Sequence, residues 1–223
     1  MAGASGPIPR LLLIADGFVT GRVELDATTI RRRTVSLVEA GVPWVSLRDH
    51  DADRTAFASV ATELARAVRD VNPDVLVSVH GRLAVALDIG AGLHVGRRGA
   101  SLRTARESAL VGPLGVSAHS ASAALRAAKE GAAYATLSPV FATRTHPDAV
   151  PAGIDPLRLA AERSQLPILA LGGMTPPRAR IARLVGAHGA AVISSLLFAF
   201  DERKTVRQFL NALGATDDPT RLR

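Results

Sequence analysis

Short apolar, β-branched runs recur along the whole chain, and they constrain its fold more than any other feature. They stand at Leu11–Ile14, Trp44–Leu47, Val75–Val79, Leu93–Val95, Leu110–Val116, Ala132–Leu137, Ile168–Leu171 and Ala191–Ile193. The runs are continuous rather than alternating, as expected for parallel strands buried on both faces. Helical spacing fills the gaps. In Asp53–Val71, the apolar residues Phe57, Val60, Leu64, Val68 and Val71 recur at three- and four-residue intervals behind a capping Asp53. Thr28–Ala40 reads as a helix capped by Thr28 or Thr29, with Gly41 just past its end. Ser122–Glu130, Asp201–Leu213 and Pro176–Val185 read likewise, the last with prolines in the first turn, where a missing N–H costs least. Eight strand-then-helix units predict an α/β fold, a single (β/α)8 TIM barrel spanning residues 1–223. A doubly wound open sheet is the alternative, but no G-x-G-x-x-G follows the first run. The segment after Ala215, residues 216–223, is expected to fray.

Composition narrows the function classes. The chain has 223 residues, 48% of them hydrophobic and 21% charged, which suits a globular protein with a sizeable core. It has no cysteine, which excludes disulfides, thiolate metal sites and a cysteine nucleophile. No run approaches the ~20 apolar residues of a membrane span, and Leu11–Ala15 is too short for a signal-peptide core. A cytoplasmic protein with no membrane partner is expected. The net charge is +7, and only Lys129 and Lys204 of the 27 basic residues are lysines. Arginine suits phosphate and carboxylate recognition. The arginines are scattered and aromatics are only 4%, so stacking platforms for nucleic acid are not expected.

In a barrel, chemistry collects at the C-terminal strand ends. Two features gather there. Gly172-Gly173 after the seventh strand and Ser194-Ser195 after the eighth predict a phosphate site, since glycines let backbone N–H groups approach an anion. His50, His80, His119 and His146 fall at strand ends or in the loops that follow, and histidine both takes and gives protons near neutrality. His94 lies inside the fourth run and is expected in the core. His188 lies before the eighth strand, at the opposite end. No His-x-x-x-His or carboxylate–histidine spacing marks a metal site.

Several stretches together resemble the thiamine-phosphate synthase / TenI family of (β/α)8 barrels. They are Val45-Ser-Leu-Arg-Asp-His50, His80-Gly-Arg-Leu-Ala-Val-Ala-Leu87, Gly92-Leu-His-Val-Gly96, Gly115-Val-Ser-Ala-His-Ser120, Ser138-Pro-Val-Phe-Ala-Thr-Arg-Thr145, Gly172-Gly-Met-Thr-Pro176 and Val192-Ile-Ser-Ser195. The synthase branch joins a pyrimidine diphosphate to a thiazole phosphate with Mg²⁺. Its strand-2 motif carries glutamine, arginine and lysine where this chain has Ser46, Arg48 and His50. Its Asn-Asp pair after strand 3, with a metal-binding aspartate, is His80-Gly81 here. Its second metal aspartate, after the strand-4 His-x-Gly, falls in Gly96-Arg-Arg-Gly99, and the lysine after its T-x-T is His146. Mg²⁺ wants hard carboxylate ligands, so these substitutions point to the TenI-like branch with neither metal nor other cofactor.

That resemblance implies a thiazole tautomerase, an isomerase that aromatises a carboxythiazole phosphate by proton transfer. His119 would be the catalytic proton shuttle. Gly173, Ile193 and Ser194 would hold the phosphate, with Thr143 and Thr145 nearby. Arg48 would pair with the substrate carboxylate and Ser117 would contact the ring, while His80 and His50 stand as reserve acid/base groups. Two alternatives stay open: the Mg²⁺-dependent synthase, and a non-catalytic or regulatory binder of a phosphorylated ligand. The resemblance also implies a homodimer, and loop 142–152 reads as a lid that phosphate could order.

Overall fold

The computed structural model describes residues 7–96, 99–143 and 149–215. The expected frayed segment 216–223, Thr145 and His146 lie outside the described residues. Eight parallel strands close into a barrel in sequence order: β1 (Leu11–Asp16), β2 (Trp44–Arg48), β3 (Leu76–His80), β4 (Gly92–Val95), β5 (Leu114–Ala118), β6 (Tyr134–Leu137), β7 (Ile168–Ala170) and β8 (Gly189–Val192). β1 pairs with both β2 and β8, which completes the ring. The helices are α1 (Ala27–Glu39), α2 (Arg54–Val71), α3 (Leu83–Asp88), α4 (Leu102–Arg106), α5 (Ala121–Lys129), α6 (Ile154–Ser164), α7 (Pro176–Leu184), α8 (Ser194–Leu197) and α9 (Glu202–Ala212). The chain is therefore a TIM barrel, and the open-sheet alternative falls.

The differences from expectation are local. Asp26, not Thr28 or Thr29, caps α1, because its carboxylate accepts the Thr29 N–H at 2.8 Å. Asp53 caps α2 as expected, accepting from the N–H groups of Thr55 and Ala56. The short helices α3, α4 and α8 and the longer α6 have no counterpart in the sequence reading. The first three are too short to show a helical period, and α6 follows a glycine with no capping side chain. Ile193, expected at the end of the eighth strand, leaves the ladder and stands at the N-cap of α8.

Strand alternation sorts side chains between two cores. Leu11, Leu13, Val45, Leu47, Val77 and Val79 face outward, against the helices. Phe57 of α2 is fully buried there, edge-on to Phe18 at 5.0 Å between ring centroids. Burying one such side chain is worth about 2–3 kcal/mol. Leu12, Ile14, Trp44, Tyr134, Leu169 and Ala191 form the inner cluster. Above it the lumen turns polar, with Ser46, Ser78, His94 and Thr136 all buried. Buried polar groups persist only when hydrogen-bonded. Trp44 Nε1 donates to Ser78 Oγ at 3.2 Å, and His94 bridges the Tyr134 hydroxyl (3.0 Å) and Ser117 Oγ (2.9 Å). The Tyr134 ring crosses directly over Gly115, where an added Cβ would lie 2.0 Å from it.

Candidate active site

The last inward residue of each strand lines the C-terminal mouth of the barrel. β1 supplies Asp16 and β2 supplies Arg48. Arg48 Nε donates to Asp16 Oδ1 at 2.7 Å, and Arg22 from the β1–α1 loop pairs with the other carboxylate oxygen. Asp16 is only 8% exposed, and burial pushes the Arg48 pKa down to about 10. The carboxylate that Arg48 meets inside the protein is thus Asp16. Next along the chain, Asp49 is buried and faces the β1–α1 loop. Its carboxylate accepts the N–H groups of Val19 and Thr20, both at 2.9 Å, and the Thr20 hydroxyl at 3.0 Å. The Asp51 and Ala52 N–H groups complete its shell. Burial alone would raise its pKa, but the donors from Thr20 and Val19 outweigh burial and hold it below the usual range.

Three of the predicted histidines stack into a column. His50, His80 and His94 follow one another with ring centroids 5.2 and 5.1 Å apart, and Tyr134 continues the column 5.5 Å below His94. His94 is a hydrogen-bonded core residue, as its place inside the fourth run suggested. Burial, then Arg48, drives its pKa down to about 3. Burial, then His94, Arg48 and His50, drives that of His80 to about 2. Both are neutral imidazoles at physiological pH. Burial likewise raises the Tyr134 pKa.

His119 lies apart from this column, exposed at the end of β5. Its Nδ1 donates to the Ser138 carbonyl oxygen at 2.8 Å, which leaves Nε2 directed elsewhere. Ser117 sits deeper, tied to His94. His188 is at the other end of the barrel, hydrogen-bonded to the Ile8 carbonyl oxygen at 2.7 Å.

The predicted anion site has a definite shape. A cavity of about 200 Å³ is lined by Thr143, Gly172, Gly173, Arg178, Ile193 and Ser194, among others. Gly173 has φ +60°, and a Cβ there would lie 2.2 Å from the Ala142 carbonyl oxygen. Only glycine permits that backbone. Arg178 Nη1 donates to the Gly173 carbonyl oxygen at 2.6 Å and stacks over Phe141. The N–H groups of Ser194 and Ser195 open α8 and so have no partner within the helix. A second cavity of about 740 Å³ shares Ser194 and Ser195 and runs past Asp16, Arg22 and His50 to Phe198.

Sequence reasoning missed Arg22, Thr20 and Tyr134. Arg22 and Thr20 lie in a loop without periodicity, and Tyr134 looks like an ordinary apolar strand residue. The mouth does not suit a carboxylate-held Mg²⁺. Asp16 is neutralised by two guanidinium groups, and the lone pairs of Asp49 are occupied by donors. Glu24 and Asp51 sit on separate loops at the rim. Among the described residues, no group of three or more His, Cys, Asp or Glu could hold a metal ion.

A closed parallel eight-stranded barrel, with a glycine-walled cavity after β7 and an arginine- and imidazole-lined mouth at its C-terminal strand ends, defines a TIM-barrel protein. The family can be stated directly, because the thiamine monophosphate synthase model matches residues 17–196 and the chain belongs to that family. It is 34% identical over 184 residues to the thiamine-phosphate synthase of Chloroflexus aurantiacus, covering 81% of this chain and 84% of that one. It is 34% identical over 198 residues to the thiamine-phosphate synthase of Syntrophomonas wolfei, covering 85% and 93%. Among solved structures, thiamine phosphate pyrophosphorylase from Pyrococcus furiosus superposes with a TM-score of 0.78 at 28% identity, over 92% of this chain and 96% of that one.

These relatives correct one expectation. They bear the name of a transferase, so the isomerase reading is withdrawn. It had treated the missing metal aspartates as the mark of a different reaction, and the overall similarity runs the other way. No helix among the described residues is long and apolar enough to cross a membrane.

Proposed function

We propose that this protein is a transferase of the thiamine-phosphate synthase type, joining a pyrimidine diphosphate to a thiazole phosphate. The observation that carries this reading is the pair of adjoining cavities. The smaller has the walls of a phosphate cradle, and the larger leaves room beside it for a second substrate. In this reading Gly173, Ile193, Ser194 and Thr143 hold the thiazole phosphate. Arg48, His50 and His80 face the diphosphate, while Ser117 and His119 border the reacting rings.

The thiazole nitrogen lone pair forms the new C–N bond as the methylene C–O bond breaks, and pyrophosphate leaves with that electron pair. No proton is removed from the thiazole, so this reaction asks no base of His119. With Nδ1 committed to Ser138, its Nε2 serves to position a substrate. The barrel walls align the two rings and keep water from the activated methylene, and such alignment supplies much of the rate in a two-substrate reaction. The negative charge growing on the leaving group must be met, and the cations at the mouth for it are Arg22, which lines the larger cavity, and Arg48 beside it on Asp16.

The deciding experiment mixes the protein with both substrates, with Mg²⁺ and separately with chelator, beside a known synthase. Thiamine phosphate above background supports the transferase. No product, with the control active, refutes it. The pairing of Asp16 with two arginines and the donor-filled shell of Asp49 favour one other reading, a binder of phosphorylated ligand without turnover. That protein would be stabilised by thiazole phosphate and form nothing.

A further inference from the structure

A diphosphate at the β2–β3 rim faces an unusual charge balance. Among the described residues the buried guanidinium there, Arg48, is shared with Asp16, and both nearby carboxylates already accept from protein donors, Asp16 from Arg48 and Arg22 and Asp49 from the N–H groups of Val19 and Thr20. An imidazole stands beside Arg48 instead. His80 ends β3 and is partly buried. An added Cβ on Gly96 would lie 2.7 Å from its Nε2, so glycine at the end of β4 leaves the ring its space.

The charged and titratable groups that face His80 are Arg48 from β2, His50 from the following loop and His94 from β4. Arg82, two residues on, turns away to lie 4.3 Å over the Phe57 ring. Among the described residues neither ring nitrogen of His80 has a hydrogen-bond partner, and Nε2 faces Gly96.

Resting on the transferase reading for the identity of the anion, we propose that His80 is a proton-linked anion receptor. A diphosphate seated beside Arg48 is bound with His80 as imidazolium, its proton taken from solvent, in place of a carboxylate-held cation. The surroundings make this switch feasible. Burial and the neighbouring positive charges keep the imidazole neutral in the protein alone. Each anionic charge held ~4 Å away raises proton affinity roughly a thousandfold at the effective dielectric of a protein surface. Two such charges are enough to carry the imidazole past neutrality. The imidazolium then donates to the phosphate oxygens as a charge-assisted hydrogen bond.

The test is a titration of the full chain with inorganic pyrophosphate near neutral pH, in chelator, followed by ring-nitrogen NMR of the histidines. His80→Asn assigns the signal, and its melting curve without ligand checks that it folds. The expected result is saturable binding, with the His80 nitrogens moving from the neutral to the imidazolium pattern. Pyrophosphate affinity should fall about 10–100-fold in His80→Asn, the worth of one charge-assisted hydrogen bond. Should that variant not fold, the wild-type spectrum alone decides. Binding that needs Mg²⁺, no binding at all, or a His80 that stays neutral when pyrophosphate is bound would each overturn the proposal. Proton-linked binding without any thiamine phosphate formed would instead sink the transferase reading and leave this one standing.

Discussion

Arg48 donates from Nε to Oδ1 of Asp16 at 2.7 Å, and the two side chains are only 13% and 11% exposed. The pair places a guanidinium inside the mouth at a fixed height, with Arg22 closing the other side of the carboxylate. Removing the carboxylate leaves two guanidinium groups facing each other. Asp16→Asn should therefore cost about 3–5 kcal/mol, the range for breaking a buried pair. Urea unfolding measures it. Adding Arg22→Leu to Asp16→Asn should recover part of the loss, because one uncompensated charge goes with it.

Gly173 tolerates no side chain, for reasons of φ and of space together. Gly173→Ala should destabilise the fold by about 1–3 kcal/mol. It should also weaken thiazole phosphate binding, by at least about tenfold if one backbone hydrogen bond to the anion is lost. A thermal-shift titration reads both effects. Unchanged ligand stabilisation would place the phosphate elsewhere.

Tyr134→Phe removes the hydroxyl that partners His94 Nδ1 in the lumen. A buried nitrogen without its partner costs about 1–3 kcal/mol. The midpoint of urea unfolding should fall with an unchanged slope, since the barrel itself stays as compact.

Stability should fall on mild acidification. His80 and His94 have folded pKa values depressed to about 2 and about 3, against an ordinary value of 6.5. Between those limits the unfolded chain binds protons that the folded barrel refuses, so stability rises with pH in that window. It should be level above pH ~7 and drop by up to about 1.4 kcal/mol per pH unit for each histidine as pH falls below ~6. Urea midpoints across this range test the slope. His94→Gln should flatten it, although its absolute stability will be lower.

Asp49 staples the β1–α1 loop through the N–H groups of Val19 and Thr20. Asp49→Ala should release residues 19–22, and trypsin should then cut after Arg22 sooner than in the parent protein. Thr20→Val keeps both backbone bonds and should show a smaller effect, about 1 kcal/mol on stability.

Much of the barrel can be read from local pattern. Apolar runs and helical spacing are properties of neighbouring residues, so Trp44–Leu47 or Asp53–Val71 declare themselves without any partner. The glycine pair at 172–173 was legible for the same reason, because a turn followed by a prolyl helix start is a local device. The short helices were not, since α8 has only four residues and cannot display a period. The isomerase expectation fails because the missing acids suggest a change of reaction, whereas the relatives that match most of the chain bear the name of a synthase.

By itself the sequence determined the closed α/β architecture, the glycine turn after the seventh strand and the family. Only the tertiary structure decided what the side chains at the strand ends meet. Asp16 and Arg48 touch because β1 and β2 pair in a register that puts them level. His80 and His94 stack because β3 and β4 pair likewise. His119, one strand farther round, lies outside the column that the sequence could not distinguish it from. Register, closure and burial are long-range quantities. They set which charges are neutralised, which imidazoles lose their protons and which carboxylates are already occupied, and no local pattern encodes them.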